Sequence, residues 1–392
     1  MTAGFRNITE MFPGRQIFLL LTAIATFLLN GCVSEFVPKA TQDRNLLVVE
    51  GLITDRHETD TVKISKAIPI GSDQESSPVE GCAVSITDNL NNTFVLNYAG
   101  KGCYITDSSS FTGVPGRTYT LHVSLTDNGV TKNYESSPSE MKPVPTLDSL
   151  YYVRTTIRPE SGINPRVDGC QIYISTQDPE NKCNYYRWDF TETWIIVLRW
   201  PVDNNRCWIT EQSRAINIKS TAAMTQSVID KYPIYFVDNT TDRLLWQYSI
   251  KVNQYSLSEE EFTFWEKLKN TTEETGGLYD IIPSSIPGNI HCVGNPDEKV
   301  IGYFSVSAKS SKRIFIENYF SGTFDPYTHC VADTLPTDNP NAVPGMFTNF
   351  WPLYVQIGSF FHAPYTIITK DYGCYDCTVR GTKIKPDFWP DK

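Results

Sequence analysis

Short stretches of alternating apolar and polar residues recur through the first third of the chain, and turn-forming residues separate them. In Tyr119-Thr120-Leu121-His122-Val123, the tyrosine, leucine and valine fall on one face after the turn at Pro115-Gly116. This alternation predicts a strand with one buried face, and Asp127-Asn128-Gly129 predicts the hairpin that follows it. Regular short strands predict an immunoglobulin-like or prealbumin-like β-sandwich over residues 45–142. The other strands predicted there are Leu46–Ile53, Thr61–Ala67, Cys82–Thr87, Thr93–Tyr98, Gly102–Thr106 and Thr131–Tyr134.

Residues 150–392 carry longer and more aromatic patterns, which predict a second, larger β-rich domain with one or two helices. The alternation from Leu244 to Val252 predicts a half-buried strand. A helix is predicted to begin at Ser258-Glu259-Glu260-Glu261, because the serine side chain caps a first-turn N–H and the last glutamate reaches back. A shorter helix is predicted over Thr225–Asp230. The chain is therefore expected to be mainly β.

The first residues of the chain form a targeting signal rather than part of a fold. An apolar run, Ile17–Leu29, follows a basic start. Such a run is typical of a secretory signal peptide and is too short for a comfortable membrane span. Gly31 directly before Cys32 is the small residue that a lipoprotein signal peptidase accepts. We predict a signal peptide over residues 1–31, lipidation of Cys32 and a tether over residues 32–44.

The charge of the chain narrows the range of partners. The net charge is −10 at pH 7, whereas binding to nucleic acid needs clustered Lys and Arg that release counterions. An acidic chain is also a poor electrostatic membrane anchor, so the lipid on Cys32 is expected to hold the protein on its membrane. We therefore expect a membrane partner through the lipid and no nucleic-acid partner.

The cysteines agree with export to an oxidising compartment, where disulfides form. Beside Cys32 there are nine, and this odd number leaves at least one without a partner in the chain. The Cys374-x-x-Cys377 motif lacks the following helix of a redox dithiol and the further ligands of a zinc site. It is predicted to fix the C-terminal segment by a structural disulfide, either within the pair or to Cys207. The other predicted pairs are Cys82 with Cys103 and Cys292 with Cys330.

No catalytic signature stands out in the sequence. It contains no HExxH, GxSxG or GxxxxGK[ST] motif, so we predict no enzyme activity, metal or cofactor. Glu259 and Glu261 are interpreted as first-turn helix acids. The aromatic residues Tyr185, Trp188 and Trp194 have two interpretations, because they either contact a ligand or partner or fill a β-rich core. Trp188 and Trp194 are an even number of residues apart and share a face, while Tyr185 faces the other way.

Several motifs of the second half, in a fixed order, resemble those of a known family. They are Asn184-Tyr185-Tyr186-Arg187-Trp188, Glu192-Thr193-Trp194, Cys207-Trp208, Tyr248–Ser258 leading into Phe264-Trp265 and Leu268-Lys269, Gly288-Asn289-Ile290, Val300–Phe304, Cys374–Thr378 and Pro386–Trp389. Together they resemble the family of domain of unknown function 4249 (DUF4249), lipoproteins of the Bacteroidota envelope. The resemblance covers nearly the whole chain after Cys32. It implies a partnership with a TonB-dependent outer-membrane receptor and identifies no catalytic residue.

Three functional hypotheses follow from these observations. The first is a non-enzymatic binding or accessory lipoprotein of the outer membrane that works with a TonB-dependent receptor in nutrient uptake. The second is a cell-surface adhesin or fimbria-like subunit, which would need an exposed edge strand that accepts a donor strand. The third is an envelope hydrolase whose site is assembled from distant residues. Only one acid, Glu35, lies just after Cys32, and the sequence leaves open whether the protein faces the periplasm or the cell surface.

Overall fold

The structure is a computed structural model, and it describes most of the chain after residue 45. The predicted signal peptide, Cys32 and the tether lie outside the described residues. Within the described ranges, no helix combines the length and the apolar character needed to cross a membrane. The described residues are 46–67, 77–127, 129–158, 166–273, 286–317, 320, 322–328, 330, 333–335, 351–356 and 365–391.

The described residues are mainly β, which confirms the predicted fold class, and they contain one α-helix. The first strands are β1 (Leu47–Ile53), β2 (Thr61–Lys66), β3 (Ser77–Pro78), β4 (Ala83–Asp88), β5 (Thr93–Val95), β6 (Asn97–Gly100), β7 (Cys103–Ile105), β8 (Thr118–Asp127), β9 (Val130–Ser136) and β10 (Ser139–Glu140). The later strands are β11 (Leu147–Ile157), β12 (Val167–Asp178), β13 (Tyr185–Val197), β14 (Arg206–Gln212), β15 (Asn217–Ser220), β16 (Ser227–Asp238), β17 (Gln247–Ser256), β18 (Ile290–Cys292), β19 (Val300–Val306), β20 (Lys309–Glu317), β21 (Asp333–Leu335), β22 (Trp351–Gln356) and β23 (Tyr365–Thr369). The helix α1 spans Glu259–Glu273, and short 3-10 helices cover Asp242–Leu244, Tyr372–Cys374 and Cys377–Val379.

The first strands form two sheets around a common hydrophobic core. One sheet has the strand order β19-β1-β2-β7-β6 with β3 beside β2, and the other has the order β18-β9-β8-β4-β5 with β10 beside β8. Tyr119, Leu121 and Val123 of β8 are buried in the core between them, as their alternation predicts. The hydroxyl oxygen of Tyr119 accepts a hydrogen bond from the Val114 N–H at 2.8 Å. This bond satisfies the polar end of a ring that is otherwise in apolar surroundings.

Two strands from the second half of the chain complete this sandwich. β19 pairs in parallel with β1 from Leu47–Val300 to Ile53–Val306, and β18 pairs with β9. The sandwich therefore includes residues outside the predicted range 45–142. A parallel pair needs a long connection, so the local pattern of apolar residues does not reveal the partner of β1. The described parts of 45–67 and 76–392 belong to one compact unit.

The second half forms another pair of facing sheets, and the core between them is aromatic. The sheet β11-β12-β16 packs on one face of the sheet β14-β13-β17-β20, in which β15 also pairs with β13. We call this the inner face, and the opposite one the outer face. The helix predicted over Thr225–Asp230 is wrong, because Ser227 begins β16, where Ile229 is buried and Val228 is exposed. So short an apolar run fits either a helix or a strand.

The helix α1 covers one end of the outer face. The Ser258 hydroxyl accepts a hydrogen bond from the Glu261 N–H at 3.1 Å, which is the predicted cap. The Glu261 side chain, however, is fully buried and accepts a hydrogen bond from the Trp265 indole at 3.1 Å. Glu261 is thus an internal anchor of α1 rather than an exposed first-turn acid.

The C-terminal segment covers the other end of this sheet, with Trp389 on the outer face, and two disulfides hold it. Cys207 of β14 is bonded to Cys377, and Cys330 is bonded to Cys374. The segment also contains the small sheet β21-β23-β22. Its buried Leu353 packs with Cys207 and Cys377 in one hydrophobic cluster. Of the two alternatives for the CxxC motif, the structure therefore has the bond to Cys207.

The other predicted disulfides are wrong, since Cys82, Cys103 and Cys292 are free thiols. Cys82 immediately precedes β4 in one sheet of the sandwich, whereas Cys103 lies on β7 in the opposite sheet. The Cys82 N–H instead donates to the Tyr104 hydroxyl at 3.0 Å. Cys292 lies on β18 in the sandwich, far along the chain from the C-terminal segment that supplies the partner of Cys330. The sheet or segment to which each cysteine belongs therefore decides the pairing.

Candidate binding cleft

A cleft of about 810 Å³ lies where the N-terminal sandwich meets α1 and the start of β13. Its walls come from three parts of the chain that are distant in sequence. The sandwich supplies residues between Ser137 and Lys142, with Pro287, Gly288, Asn289 and Tyr303. The start of β13 supplies Lys182, Asn184 and Tyr185, and the start of α1 supplies Leu257, Ser258, Glu259, Glu260, Thr263, Phe264 and Lys267. The volume falls within the range of about 300–1,000 Å³ that is usual for ligand sites. We refer to this region as the cleft.

Aromatic rings form the apolar part of the cleft wall. Tyr185 lies at the start of β13 on its outer face, and its ring centroid is 5.2 Å from that of Phe262. The rings of Phe264 and Tyr303 are 4.8 Å apart and join the helix to the sandwich. Partial burial, together with the negative charge of Glu259, raises the pKa of Tyr185. Tyr185 therefore keeps its proton at neutral pH and is a hydrogen-bond donor at the cleft.

The charged residues of the cleft balance one another. Three lysines, Lys142, Lys182 and Lys267, and three glutamates, Glu140, Glu259 and Glu260, line it. The Lys142 ammonium lies 2.5 Å from the Glu140 carboxylate, and that of Lys182 lies 2.6 Å from Glu180 outside the cleft. A wall with both signs of charge suits a neutral or zwitterionic polar ligand better than a polyanion.

A half-buried arginine and a buried carboxyl lie behind the cleft wall, and their contacts position the helix there. The Arg187 guanidinium is 4.7 Å from the Tyr255 ring centroid and 4.6 Å from that of Trp265. Burial raises the pKa of Glu261, and the Ser305 hydroxyl, the Arg187 charge and the Trp265 indole oppose that rise. Since a buried charge needs partners, these contacts define how α1 sits on β13.

The sandwich side of the cleft is equally fixed. The Asn289 side chain donates to the Phe304 carbonyl at 2.9 Å and accepts from the Phe304 N–H at 2.8 Å. Beside it, a Cβ on Gly288 would lie 1.7 Å from the Gly302 carbonyl oxygen. Only glycine allows this close approach of two backbones. The cleft is thus shaped before any ligand arrives, which lowers the entropy lost on binding.

Only one of the three predicted contact aromatics lines the cleft. Trp188 and Trp194 are 1% and 2% exposed on the inner face, and Tyr185 faces the other way, as their spacing predicts. The Trp188 indole donates to Gln254 at 2.9 Å, and Trp194 packs under the Arg243 guanidinium at 4.7 Å. For both tryptophans, the core interpretation is the one the structure supports.

Sequence reasoning missed the other residues of the cleft. Phe264 and Lys267 lie on α1, and Tyr303 lies on β19, which reaches the sandwich through its parallel pairing with β1. No local sequence pattern predicts that these two elements come together. In the part of the chain that the structure describes, no group of three or more His, Cys, Asp or Glu residues is placed to hold a metal ion. The cleft side chains therefore offer hydrogen bonds, charges and ring faces for binding.

The fold and the cleft define a class of protein: a mainly β chain with two packed sandwich-like units and a preformed, ligand-sized cleft. The chain belongs to the family described as domain of unknown function (DUF4249), whose model matches residues 33–313. This match confirms the family suggested by the sequence motifs, and it ends before the disulfide-linked C-terminal segment. No curated protein matches the chain.

Proposed function

We propose that this chain is a lipoprotein of the outer membrane that binds a small polar ligand in the cleft. It passes that ligand to, or receives it from, a TonB-dependent receptor in nutrient uptake. The observation that carries the proposal is the cleft itself, which has the volume of a ligand site, rigid walls and a mixture of ring faces and paired charges. The predicted lipid on Cys32 and the family resemblance support the location and the partner.

The cleft carboxylates support a role in binding rather than in catalysis. Glu259 and Glu260 stand in the first turn of α1, where the helix dipole favours negative charge. Glu140 is paired with Lys142. Each carboxylate therefore has a structural reason for its position, and the proposal assigns none of them to acid–base chemistry.

Co-purification from the native host tests the partnership. The full-length protein with a C-terminal tag is extracted gently from the outer membrane, and the captured proteins are identified. We expect a TonB-dependent receptor in a fixed ratio with the wild type, and its loss in Cys32→Ala. Cys103→Ala is the matched control, because it removes a half-buried free thiol of the sandwich and keeps the lipid.

Two results would contradict the proposal. In the first, the wild type is recovered from the outer membrane in good yield but without a receptor. This result would mean that the protein does not work with a TonB-dependent receptor. An equal amount of receptor with Cys32→Ala would show that the lipid does not bring the two proteins together.

An adhesin or fimbria-like subunit is the second candidate, and the edge strand β11 favours it. Its large apolar residues Tyr152, Val153 and Ile157 are exposed, and within the described residues no strand pairs with its outer edge. An exposed edge accepts a further strand by backbone hydrogen bonds. In this case the extracted protein forms polymers, and Val153→Lys, which charges the edge, abolishes them.

A further inference from the structure

A second concave surface lies on the outer face of the same sheet, at the opposite end of β13 from the cleft. It encloses about 750 Å³. Ile195 of β13 faces Trp208 of β14 in the strand register, and Trp246 directly precedes β17. Trp389 of the C-terminal segment closes the fourth side. Three of the eight tryptophans of the chain thus line one surface, which we call the tryptophan groove.

One of these indoles is available to a ligand and the other two support the wall. Trp246 is 47% exposed, whereas Trp208 and Trp389 are 7% and 5% exposed. The Trp389 ring packs edge-on against Trp208 at 6.4 Å and against Phe315 at 5.5 Å between centroids. An indole held half in solvent presents a large, flat apolar face that a ligand can cover.

The groove is held in shape independently of any ligand. The backbone of Trp208 exchanges two hydrogen bonds of 2.9 Å with Thr382, and the neighbouring Cys207 is bonded to Cys377. A Cβ on Gly381 would lie 2.8 Å from the Trp208 carbonyl oxygen, so the C-terminal segment lies tightly on β14. A covalently fixed wall reduces the ordering that binding would otherwise require.

Planar polar side chains surround the indoles, and their charges cancel. Arg206 and Lys385 are the cations of the groove, and Glu317 and Asp391 are its carboxylates. Lys385 and Asp391 form an ion pair with each other. Gln247 adds an amide. The wall therefore offers hydrogen-bond donors and acceptors without a net charge that would select an ionic ligand.

We propose that the tryptophan groove binds a neutral oligosaccharide. A pyranose ring has one face of C–H groups that stacks on an indole, and hydroxyls at its rim that pair with amide, guanidinium and carboxylate groups. Trp246 supplies the stacking face, and Arg206, Gln247 and Glu317 supply the rim contacts. An apolar protein anchor would instead cover Arg206 and Gln247 without offering them hydrogen-bond partners. This site is separate from the cleft, and its assignment does not depend on the receptor.

Titration of the full-length protein in detergent with neutral oligosaccharides tests the assignment. The probes are linear hexasaccharides of glucose, mannose and xylose, and an oligogalacturonate is the acidic comparison. Tryptophan fluorescence and calorimetry follow binding at concentrations up to about 10 mM. We expect saturable binding of at least one neutral probe and no preference for the acidic one.

Variants locate the binding on the groove. Trp246→Ala removes an exposed ring and is expected to weaken binding about tenfold, the size of a stacking contact of about 1.4 kcal/mol. Tyr152→Ala is the matched control, because Tyr152 is also an exposed aromatic residue on a strand and lies outside the groove. It is expected to leave the affinity unchanged, as is Tyr185→Ala in the cleft.

Four outcomes would overturn the assignment. They are the absence of saturable binding by any neutral probe, a preference for the acidic probe, an affinity unaffected by Trp246→Ala, and an equal loss in Tyr152→Ala. If Trp246→Ala releases a co-purified receptor while no oligosaccharide binds, the groove contacts a protein and the proposal is also wrong. Failure of the receptor experiment with retained oligosaccharide binding would contradict the proposed function alone.

Discussion

The two ends of the outer face of the sheet β14-β13-β17-β20 are covered in different ways. At one end, α1 lies over Arg187 and is anchored by the buried Glu261, with no covalent link. At the other end, the C-terminal segment lies over Trp208 and is held by the Cys207–Cys377 and Cys330–Cys374 disulfides. Both α1 and the C-terminal segment shield apolar surface of the same sheet. The way in which each is attached therefore depends on the structure of the covering element and not on the surface beneath it.

Backbone hydrogen bonding explains the difference. The 15 residues of α1 satisfy most of their backbone groups within the helix. Around its two disulfides, the C-terminal segment forms 3-10 helices of three residues at Tyr372–Cys374 and Cys377–Val379, and such short elements carry little stability of their own. Cross-linking lowers the entropy of its unfolded state instead. The long helix is therefore held by side chains, whereas the short helical turns around Cys374 and Cys377 are held by covalent links.

The largest effect is expected from breaking the anchor of the helix. Arg187→Met removes the positive charge that opposes the burial of Glu261 and the contacts with Tyr255 and Trp265. Leaving a buried charge without its partner costs about 3–5 kcal/mol. We expect the free energy of unfolding, measured with urea, to fall by about 3 kcal/mol.

Two further variants make this test specific. Arg214→Met replaces an exposed arginine and is expected to change the free energy of unfolding by less than about 0.5 kcal/mol. Adding Glu261→Gln to Arg187→Met removes the unpaired charge and is expected to restore part of the loss. Equal stability of Arg187→Met and Arg214→Met would mean that Arg187 does not hold α1.

The second effect is expected from removing the covalent link. Cys207→Ser with Cys377→Ser opens a bond between residues 170 positions apart. Removing a native disulfide costs about 2–4 kcal/mol, and the remaining Cys330–Cys374 bond limits the loss. We expect the C-terminal segment to be cleaved first in limited proteolysis and the tryptophan fluorescence to shift to the red as Trp389 becomes exposed.

The free thiols of the sandwich provide the control for this pair. Cys82→Ser with Cys103→Ser changes the same number of cysteines without opening a bond, and the C-terminal segment should remain protected. If both double variants are cleaved at the same rate, the disulfide does not hold the segment.

The sequence predicts well those features that a local pattern determines. The alternation in β8 places Tyr119, Leu121 and Val123 in the core, and the spacing of Trp188 and Trp194 places both on one face. The cap of α1 at Ser258 is likewise a matter of a few adjacent residues. In each case, the interaction that determines the feature involves residues of one strand or one helical turn. The local sequence pattern is therefore enough to predict it.

Of the features that depend on distant parts of the chain, the bond from the CxxC motif to Cys207 was one of two predicted alternatives, and the others were not predicted. β19 pairs with β1 across about 250 residues, and the disulfide partners follow from the sheets in which the cysteines lie. The residues of the tryptophan groove come from five separate segments. Trp246 was assigned to a half-buried strand by alternation, but it lies just before β17 and is exposed. A site of this kind is visible only after the chain has folded.

A smaller effect is expected at Glu261, and it concerns how stability depends on pH. The pH dependence at α1 differs from that at the C-terminal segment. Burial raises the pKa of this carboxyl above its ordinary value of 4.5, so the folded state retains the proton to higher pH than the unfolded state. Stability therefore falls as the pH rises above about 4.5. Glu261→Gln should reduce this slope in urea unfolding above about pH 4.5, whereas Glu266→Gln, a change at an exposed acid of α1, should leave it as in the wild type.

The smallest effect is expected in the C-terminal segment, and its pH dependence has the opposite sign. Burial of Asp376 acts to raise its pKa, but hydrogen bonds from Thr378, Asn204 and Tyr372 outweigh it and lower the pKa from 3.8 to about 2. The unfolded state binds the proton more strongly, so this stabilisation is present above about pH 4 and is lost as the pH falls to about 2. Solvent screening limits it to on the order of 1 kcal/mol.

Asp376→Asn measures this contribution directly. An amide oxygen can still accept from Thr378, but the NH2 group that replaces the other oxygen accepts from neither Asn204 nor Tyr372. We expect the variant to be less stable than the wild type at pH 6 and equal to it near pH 2, with fluorescence of Trp389 as the local readout in urea. Asp387→Asn, an exposed acid of the same segment, should follow the wild type. A difference in stability between Asp376→Asn and the wild type that is the same at every pH would mean that Asp376 acts by its shape and not by its charge. In that case a titrating group would contribute to stability at α1 but not at the C-terminal segment.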